Sequence, residues 1–161
     1  MNKEKIGFLK NKLIPLLSEI PSDTQPLWGK MTLQQMIEHL ILVFRIASGR
    51  VPFQNIVTPA ENLPRMQEFL MSDMPFRENT MNPLLPKDPA PVVMPGIEPA
   101  LHELEKEIEH FFSVFDANED LSTRNPIFGD LNFDMNVQLL YKHSLHHLRQ
   151  FGVTYNHTPN P

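Results

Sequence analysis

The chain has 161 residues, 41% of them hydrophobic, which suits one compact domain spanning residues 1–161 with a substantial core. The net charge is −5 and lysine and arginine do not cluster, which argues against nucleic acid and an anionic membrane as main partners. The chain contains no cysteine, so disulfides and thiolate metal sites are excluded. No secretory signal and no run of roughly 20 apolar residues is visible, so we expect a cytoplasmic protein.

Two amphipathic helices are predicted within the first fifty residues. Apolar residues recur every three or four positions from about Lys3 to Glu19, and Pro15 is expected to kink this first helix. The second helix has the clearest boundaries. Thr32 is a good N-cap, Gln35 completes a capping box, and Gly49 supplies a stop.

Residues 50–96 form a long Pro-rich connection between helices two and three. Its nine prolines exclude a long helix, although a short one is plausible around Glu61–Met71. A connection of this length in a compact domain is usually functional or a crossover. In a four-helix bundle it would let helices two and three run parallel.

Two further helices complete an all-α four-helix bundle. The third is predicted from about Pro99 to Phe115, with its glutamates mostly on the solvent side. Its core stripe comprises Leu101, Leu104, Ile108, Phe111 and Phe115. The fourth begins after the cap Asn132 and ends near Phe151, before Gly152. The preceding segment GDLNFD indicates a helix start and lacks the carboxylate spacing of a calcium loop.

Three histidines are the main candidates for a functional site. On a helical wheel His143 and His147 lie about 40° apart, about 6 Å along the axis, and face the bundle interior. His39 of the second helix faces inward as well, whereas His146 falls at the edge of the apolar stripe and is the weaker candidate. Three imidazoles of this kind can form a metal site with open coordination positions. The alternative is that the histidines only satisfy hydrogen bonds in the core.

The positions of other polar residues on the helices indicate their roles. Gln150, Asn136 and Tyr141 are the polar candidates for orienting the imidazoles. No general base is evident, because Glu38 is expected to point outward, so the catalytic residues stay unknown and a metal-bound water is expected to supply the nucleophile. An isolated ExxH pair in helix three argues against a di-iron site. Trp28 is interpreted as a packing residue.

Two segments carry a resemblance to the DinB/YfiT-like superfamily. PLWGKMTLQQMIEHL (26–40) is similar to that family's segment leading into its first histidine ligand. YKHSLHHLRQFG (141–152) resembles its closing histidine pair, with His143, His147 and Gln150 in the expected order. NPIFGDLNFDMNVQLLYKH (125–143) resembles one subgroup of unknown function.

The resemblance implies a four-helix bundle in up-down-down-up order, with residues 50–96 as the crossover. It implies a divalent metal, most often nickel or zinc, held by His39, His143 and His147. It also implies a metal-dependent hydrolase or thiol transferase, a small-molecule substrate such as a low-molecular-weight thiol, and a homodimer. A non-catalytic bundle that binds a metal or a small ligand is the alternative.

Overall fold

The computed structural model describes residues 2–80 and 86–156, which are mostly helical. This part of the chain contains six α-helices and one two-stranded antiparallel sheet. In chain order the elements are α1 (Asn2–Asn11), α2 (Leu13–Ser18), α3 (Leu33–Ala47), α4 (Leu63–Met71), α5 (Ile97–Ala117), β1 (Thr123–Asn125), β2 (Gly129–Leu131) and α6 (Phe133–Gln150). A 3-10 turn at Ala60–Asn62 precedes α4. None of the described helices combines the length and apolar character needed to span a bilayer.

The first predicted helix is interrupted at Lys12, which separates α1 from α2. The cause is Pro15, which has no N–H to donate to the carbonyl of Asn11 and whose ring crowds that carbonyl. The hydrogen bonds on either side continue, from Lys12 N–H to Phe8 C=O at 2.9 Å and from Leu16 N–H to Lys12 C=O at 3.0 Å. The helix is therefore interrupted at Lys12, three residues before Pro15, where the kink was expected.

The ends of α3 match the predicted caps. The Thr32 hydroxyl accepts from the Gln35 backbone N–H at 3.2 Å, and the Gln35 side chain accepts from the Thr32 N–H at 2.9 Å. At the other end Gly49 has φ +78°, and its N–H bonds to Ile46 C=O. On α6, Asn132 accepts from Met135 N–H at 3.0 Å, as the cap prediction requires.

The main core lies where α3 packs against α5 and α6, with α1 and α2 closing the remaining side. The apolar stripe predicted on α5 is buried, as is that of α3. The buried residues of the two stripes are Leu33, Met36, Ile37, Leu40, Ile41, Phe44, Leu101, Leu104, Ile108, Phe111 and Phe115. These two stripes fix the rotation of α3 and α5 about their axes.

A smaller apolar cluster, here called the α4 cluster, lies between α4, the hairpin and α6. Its buried members are Leu70, Phe128, Leu131 and Leu139. The short helix expected around Glu61–Met71 is thus confirmed and covers part of α6. Of the prolines in the Pro-rich connection, Pro83 lies outside the described residues.

The β-hairpin is a correction to the all-α expectation, because GDLNFD contributes a strand before the helix starts. Asn125 Oδ1 accepts from the backbone N–H groups of Ile127 and Phe128, and Gly129 has φ +79°. Arg124 also pairs with Asp130 across the strands at 2.7 Å. Side-chain hydrogen bonds within the turn and across the strands therefore stabilise the hairpin. Its strands are too short to show the alternation of apolar and polar residues that predicts a strand from sequence.

One hydroxyl group joins three elements at the hairpin. Thr123 Oγ1 donates to the carbonyl of Ala47 at the end of α3, at 2.8 Å, and accepts from the Asn136 amide in the first turns of α6, at 3.0 Å. Thr123 and Asn136 are both buried. The far end of α3 and the beginning of α6 are therefore connected through β1.

Glu107 of α5 departs from the expected solvent-facing glutamates, because only 1% of its surface is exposed. Its Oε1 atom accepts from Arg45 Nε at 2.8 Å and from Arg50 at 3.1 Å, and Arg45 also pairs with Glu103 at 2.6 Å. Arginines from α3 and the segment after it thus neutralise the carboxylate at the α3–α5 contact. A helical wheel of α5 alone does not show that arginines from another part of the chain lie next to Glu107.

We expect Glu107→Gln to lower the free energy of unfolding by about 1–2 kcal/mol, since it removes the charge from hydrogen bonds to two partly exposed arginines. The matched control is Glu109→Gln, which changes an exposed residue of the same helix. Urea denaturation followed by circular dichroism measures both. Equal stabilities for the two variants would contradict this role for Glu107.

Candidate metal centre

The imidazoles of His39, His143 and His147 meet between α3 and α6. His143 Nε2 lies 2.9 Å from His39 Nε2 and 2.9 Å from His147 Nε2. The three candidate ligand atoms all lie within 4.8 Å of one another. The structure therefore brings together the three histidines that the sequence singled out.

Helix geometry explains this arrangement. His143 and His147 are one turn apart on α6 and project to the same side, as the i, i+4 spacing requires. His39 lies on α3, whose apolar stripe is buried against α5 and α6, and this rotation directs its ring toward α6. Two helices therefore supply three nitrogen atoms to one point.

Burial keeps all three imidazoles neutral near pH 7. Desolvation, with a smaller effect of neighbouring His146, lowers the pKa of His39 to about 4. Desolvation and the nearby His39 lower the pKa of His147 to about 3, although the hydrogen bond that His147 donates to Gln150 acts to raise it. Desolvation and the surrounding histidines hold the pKa of His143 well below its usual value. Neutral imidazole is the form that binds a metal.

Gln150 determines which nitrogen of His147 carries the proton. Its Nε2 donates to the backbone carbonyl of Trp28 at 3.0 Å, which turns its Oε1 toward His147 Nδ1 at 2.8 Å. Since Oε1 only accepts, Nδ1 must donate, and the lone pair of His147 Nε2 faces the other histidines. Gly29 leaves room for this amide, because a Cβ atom there would lie 2.9 Å from Gln150 Nε2.

The three imidazoles cannot satisfy one another by hydrogen bonding. His147 Nε2 presents a lone pair, so His143 Nε2 must carry a proton to bond with it. In that tautomer His143 Nε2 has no lone pair left to accept a hydrogen bond from His39. In the other tautomer of His143, its Nε2 lone pair faces the lone pair of His147 Nε2, and that contact has no proton. One of the two 2.9 Å contacts is unsatisfied in either case. A cation that accepts three lone pairs resolves this conflict, so the donor set fits a divalent transition metal.

The other two polar candidates lie elsewhere. The Asn136 amide donates to Thr123 and to the carbonyls of Leu131 and Asn132, at the start of α6. Tyr141 packs edge-on against Phe8, with ring centroids 5.1 Å apart. Gln150 is thus the one of the three that the structure places against a histidine of the cluster.

Several residues around the cluster have roles that the sequence did not indicate. Trp28 is interpreted from the sequence only as a packing residue; its ring does pack 5.5 Å from His146, but its carbonyl also accepts a hydrogen bond from Gln150. Phe76, from the Pro-rich connection, lies edge-on to His143 at 5.9 Å. No periodic pattern surrounds Phe76, so the sequence carries no signal for this contact. His146 is not one of the three convergent residues, and its buried Nδ1 has no hydrogen-bond partner.

Glu38 lies on the outer side of α3, as expected, where it binds the Pro-rich connection. Its carboxylate accepts from the backbone N–H groups of Val93 and Met94 at 2.8 and 3.0 Å, and from the Gln34 amide. Burial acts to raise the pKa of Glu38, but these hydrogen bonds lower it overall. Glu38 therefore anchors the chain leading into α5.

Comparison with protein families identifies the superfamily of this chain. The family model of the DinB superfamily matches residues 12–151, a stretch that contains all three histidines and Gln150. No curated protein and no solved structure matches the chain. Since the family match covers most of the sequence, the chain belongs to the DinB superfamily.

Proposed function

We propose that this protein is a metal-dependent enzyme, of the hydrolase or thiol-transferase type, in which His39, His143 and His147 hold one divalent ion. The observation that carries the proposal is the convergence of three Nε2 atoms that cannot satisfy one another. Nickel and zinc are the metals favoured by the family resemblance, and imidazole suits both. A divalent ion held here would act as a Lewis acid toward a water or a thiol.

The chain's own residues would orient and shield this site. Gln150 keeps the His147 lone pair directed at the cluster, Phe76 packs edge-on against His143, and Trp28 packs against the neighbouring His146. His39 and His143 keep part of their surface exposed, which leaves a path for a small ligand. A small-molecule substrate, with a low-molecular-weight thiol as one candidate, is consistent with that opening.

The remaining features of the proposal depend on membership of the superfamily. We propose that one domain forms a four-helix bundle in up-down-down-up order, with α1 and α2 as the first helix and α3, α5 and α6 as the others. This order requires α3 and α6 to run antiparallel, which agrees with the contacts of Thr123 with Ala47 and Asn136 and of His39 with His143. We also propose that two copies form a homodimer.

A non-catalytic metal-binding bundle is the second candidate function. In the described part of the chain no carboxylate joins the three histidines, so the structure provides no adjacent Asp or Glu as a general base. Metal-loaded protein that turns over no ester, amide or thiol-transfer substrate would favour this alternative. Turnover that is lost with the metal would favour the enzyme.

We expect protein purified without a histidine tag to contain close to one divalent ion per chain, and His143→Ala to contain almost none. The loss of His143 leaves two of the three ligands, and it removes the imidazole whose Nε2 lies 2.9 Å from each of the other two. Elemental mass spectrometry measures the content. The control is His102→Ala, which removes an exposed imidazole from α5. Equal metal content in wild type and His143→Ala would contradict the proposed ligand set.

We expect Gly29→Ala to weaken metal binding by about 10–100-fold, because the new methyl group displaces Gln150 from His147. Competition with a chromophoric chelator measures the affinity. Gly152→Ala is the matched control: its φ of +80° is similar to the +76° of Gly29, but no atom lies within 4 Å of its Cβ position. If both variants lose affinity equally, backbone strain and not the contact with Gln150 is responsible.

We expect the metal-free protein to lose stability as the pH falls below about 6.5. The folded-state pKa values of His39 and His147, about 4 and 3, lie below the unfolded value, so the unfolded chain takes up protons first. Between pH 7 and 5 the loss from His39 alone is about 1–2 kcal/mol. Urea unfolding at each pH measures it. A variant with glutamine at positions 39, 143 and 147 should show a smaller slope, and an unchanged slope would contradict the assignment.

A further inference from the structure

Phe76 separates the α4 cluster from the histidines. Its ring lies edge-on to His143 at 5.9 Å and lies 6.4 Å from His146. The same ring stacks on Phe128 at 6.2 Å and lies 5.9 Å from Phe69. The ring is therefore packed between apolar neighbours and the imidazoles, and it keeps part of its surface exposed.

Lys142, the residue before His143, ties Phe76 to this position. Its buried Nζ donates to the carbonyls of Phe69, Leu70 and Ser72 at 2.8, 3.2 and 3.1 Å, at the carboxyl end of α4, where helix carbonyls lack intrahelical partners. The same ammonium lies 5.2 Å from the ring centroid of Phe76, within range of a cation–π interaction. The segment that carries Phe76 is thus attached to α6 one residue away from the site.

Gln138, one turn earlier on α6, adds to this attachment. Its amide donates to the carbonyls of Leu70 and Ser72 at 3.0 and 3.2 Å. Two buried side chains of α6 therefore bind the same end of α4. These hydrogen bonds hold the end of α4, four residues before Phe76, against α6, and the ring contacts of Phe76 place it beside His143.

We propose that Phe76 determines substrate specificity, as an apolar wall against which the organic group of a metal-binding substrate packs. The site then prefers substrates with an aromatic or other apolar group next to the atom that binds the ion. The inference rests on the proposed function, because it requires an ion at the three histidines. Phe76 and His143 are in contact and both partly exposed, so a ligand on that ion lies within reach of the ring.

The test compares two thiols of similar acidity on protein loaded with Co(II), whose thiolate charge-transfer absorption reports binding directly. We expect the wild type to bind benzyl mercaptan about tenfold more tightly than 2-mercaptoethanol, because an aromatic contact and buried apolar area add to the same metal–sulfur bond. Phe76→Ala should reduce this preference to about twofold or less. Phe76→Leu keeps an apolar side chain and should give an intermediate value.

Phe53→Ala is the matched control, because Phe53 lies in a surface pocket with Ser48 and Thr123 and is 39% exposed. It should leave the preference unchanged. Co(II) content and thermal unfolding of each variant show that the site and the fold are retained. If Co(II) does not bind the wild type, the proposed function fails, and this inference fails with it. If Co(II) binds but the wild type shows no preference, or Phe76→Ala binds benzyl mercaptan as tightly or more tightly, this inference alone is wrong.

Discussion

The rotation of α3 between α5 and α6 is the constraint on which the site depends. Its apolar stripe is buried on both neighbours, and Glu107 of α5 binds Arg45 at the α3–α5 contact. With the apolar stripe and Arg45 of α3 held in this way, the face of α3 that carries His39 is directed at α6. The core packing of one helix thereby sets the position of a candidate metal ligand, and a rotation of α3 would separate that ligand from the other two.

Local sequence signals predicted the helix ends and the histidine cluster because each depends on a short stretch of chain. The capping box of Thr32 and Gln35 and the i, i+4 spacing of His143 and His147 act within one or two turns. The convergence of His39 with that pair also followed from periodicity, since all three residues lie at the apolar face of their helices. The order in which the helices pack did not follow from the same signals.

The features that the sequence did not indicate arise from contacts between distant segments. Glu107 has the charge of a surface residue, and only its arginine partners from another part of the chain explain its burial. The hairpin has strands of three residues, too short for an alternating pattern, and it depends on the side chain of Asn125. Phe76 follows a proline in an aperiodic stretch, and its position is decided by Lys142 and Phe128. Such contacts become visible only when the tertiary structure is known.

Thr123 has a consequence for the alignment of the two helices that carry the histidines. Its hydroxyl touches Ala47, eight residues after His39, and Asn136, seven residues before His143. At 1.5 Å per residue these intervals are about 12 Å on α3 and about 10.5 Å on α6. The hydroxyl joins the end of α3 to the start of α6, and His39 meets His143, so the two helices run antiparallel and both intervals lead from Thr123 toward the same cluster. Because the two lengths are nearly equal, His39 and His143 lie at the same height along the helix axes. Inserting or deleting a residue in either interval would shift one imidazole by about 1.5 Å along its helix and rotate it by about 100° relative to the other.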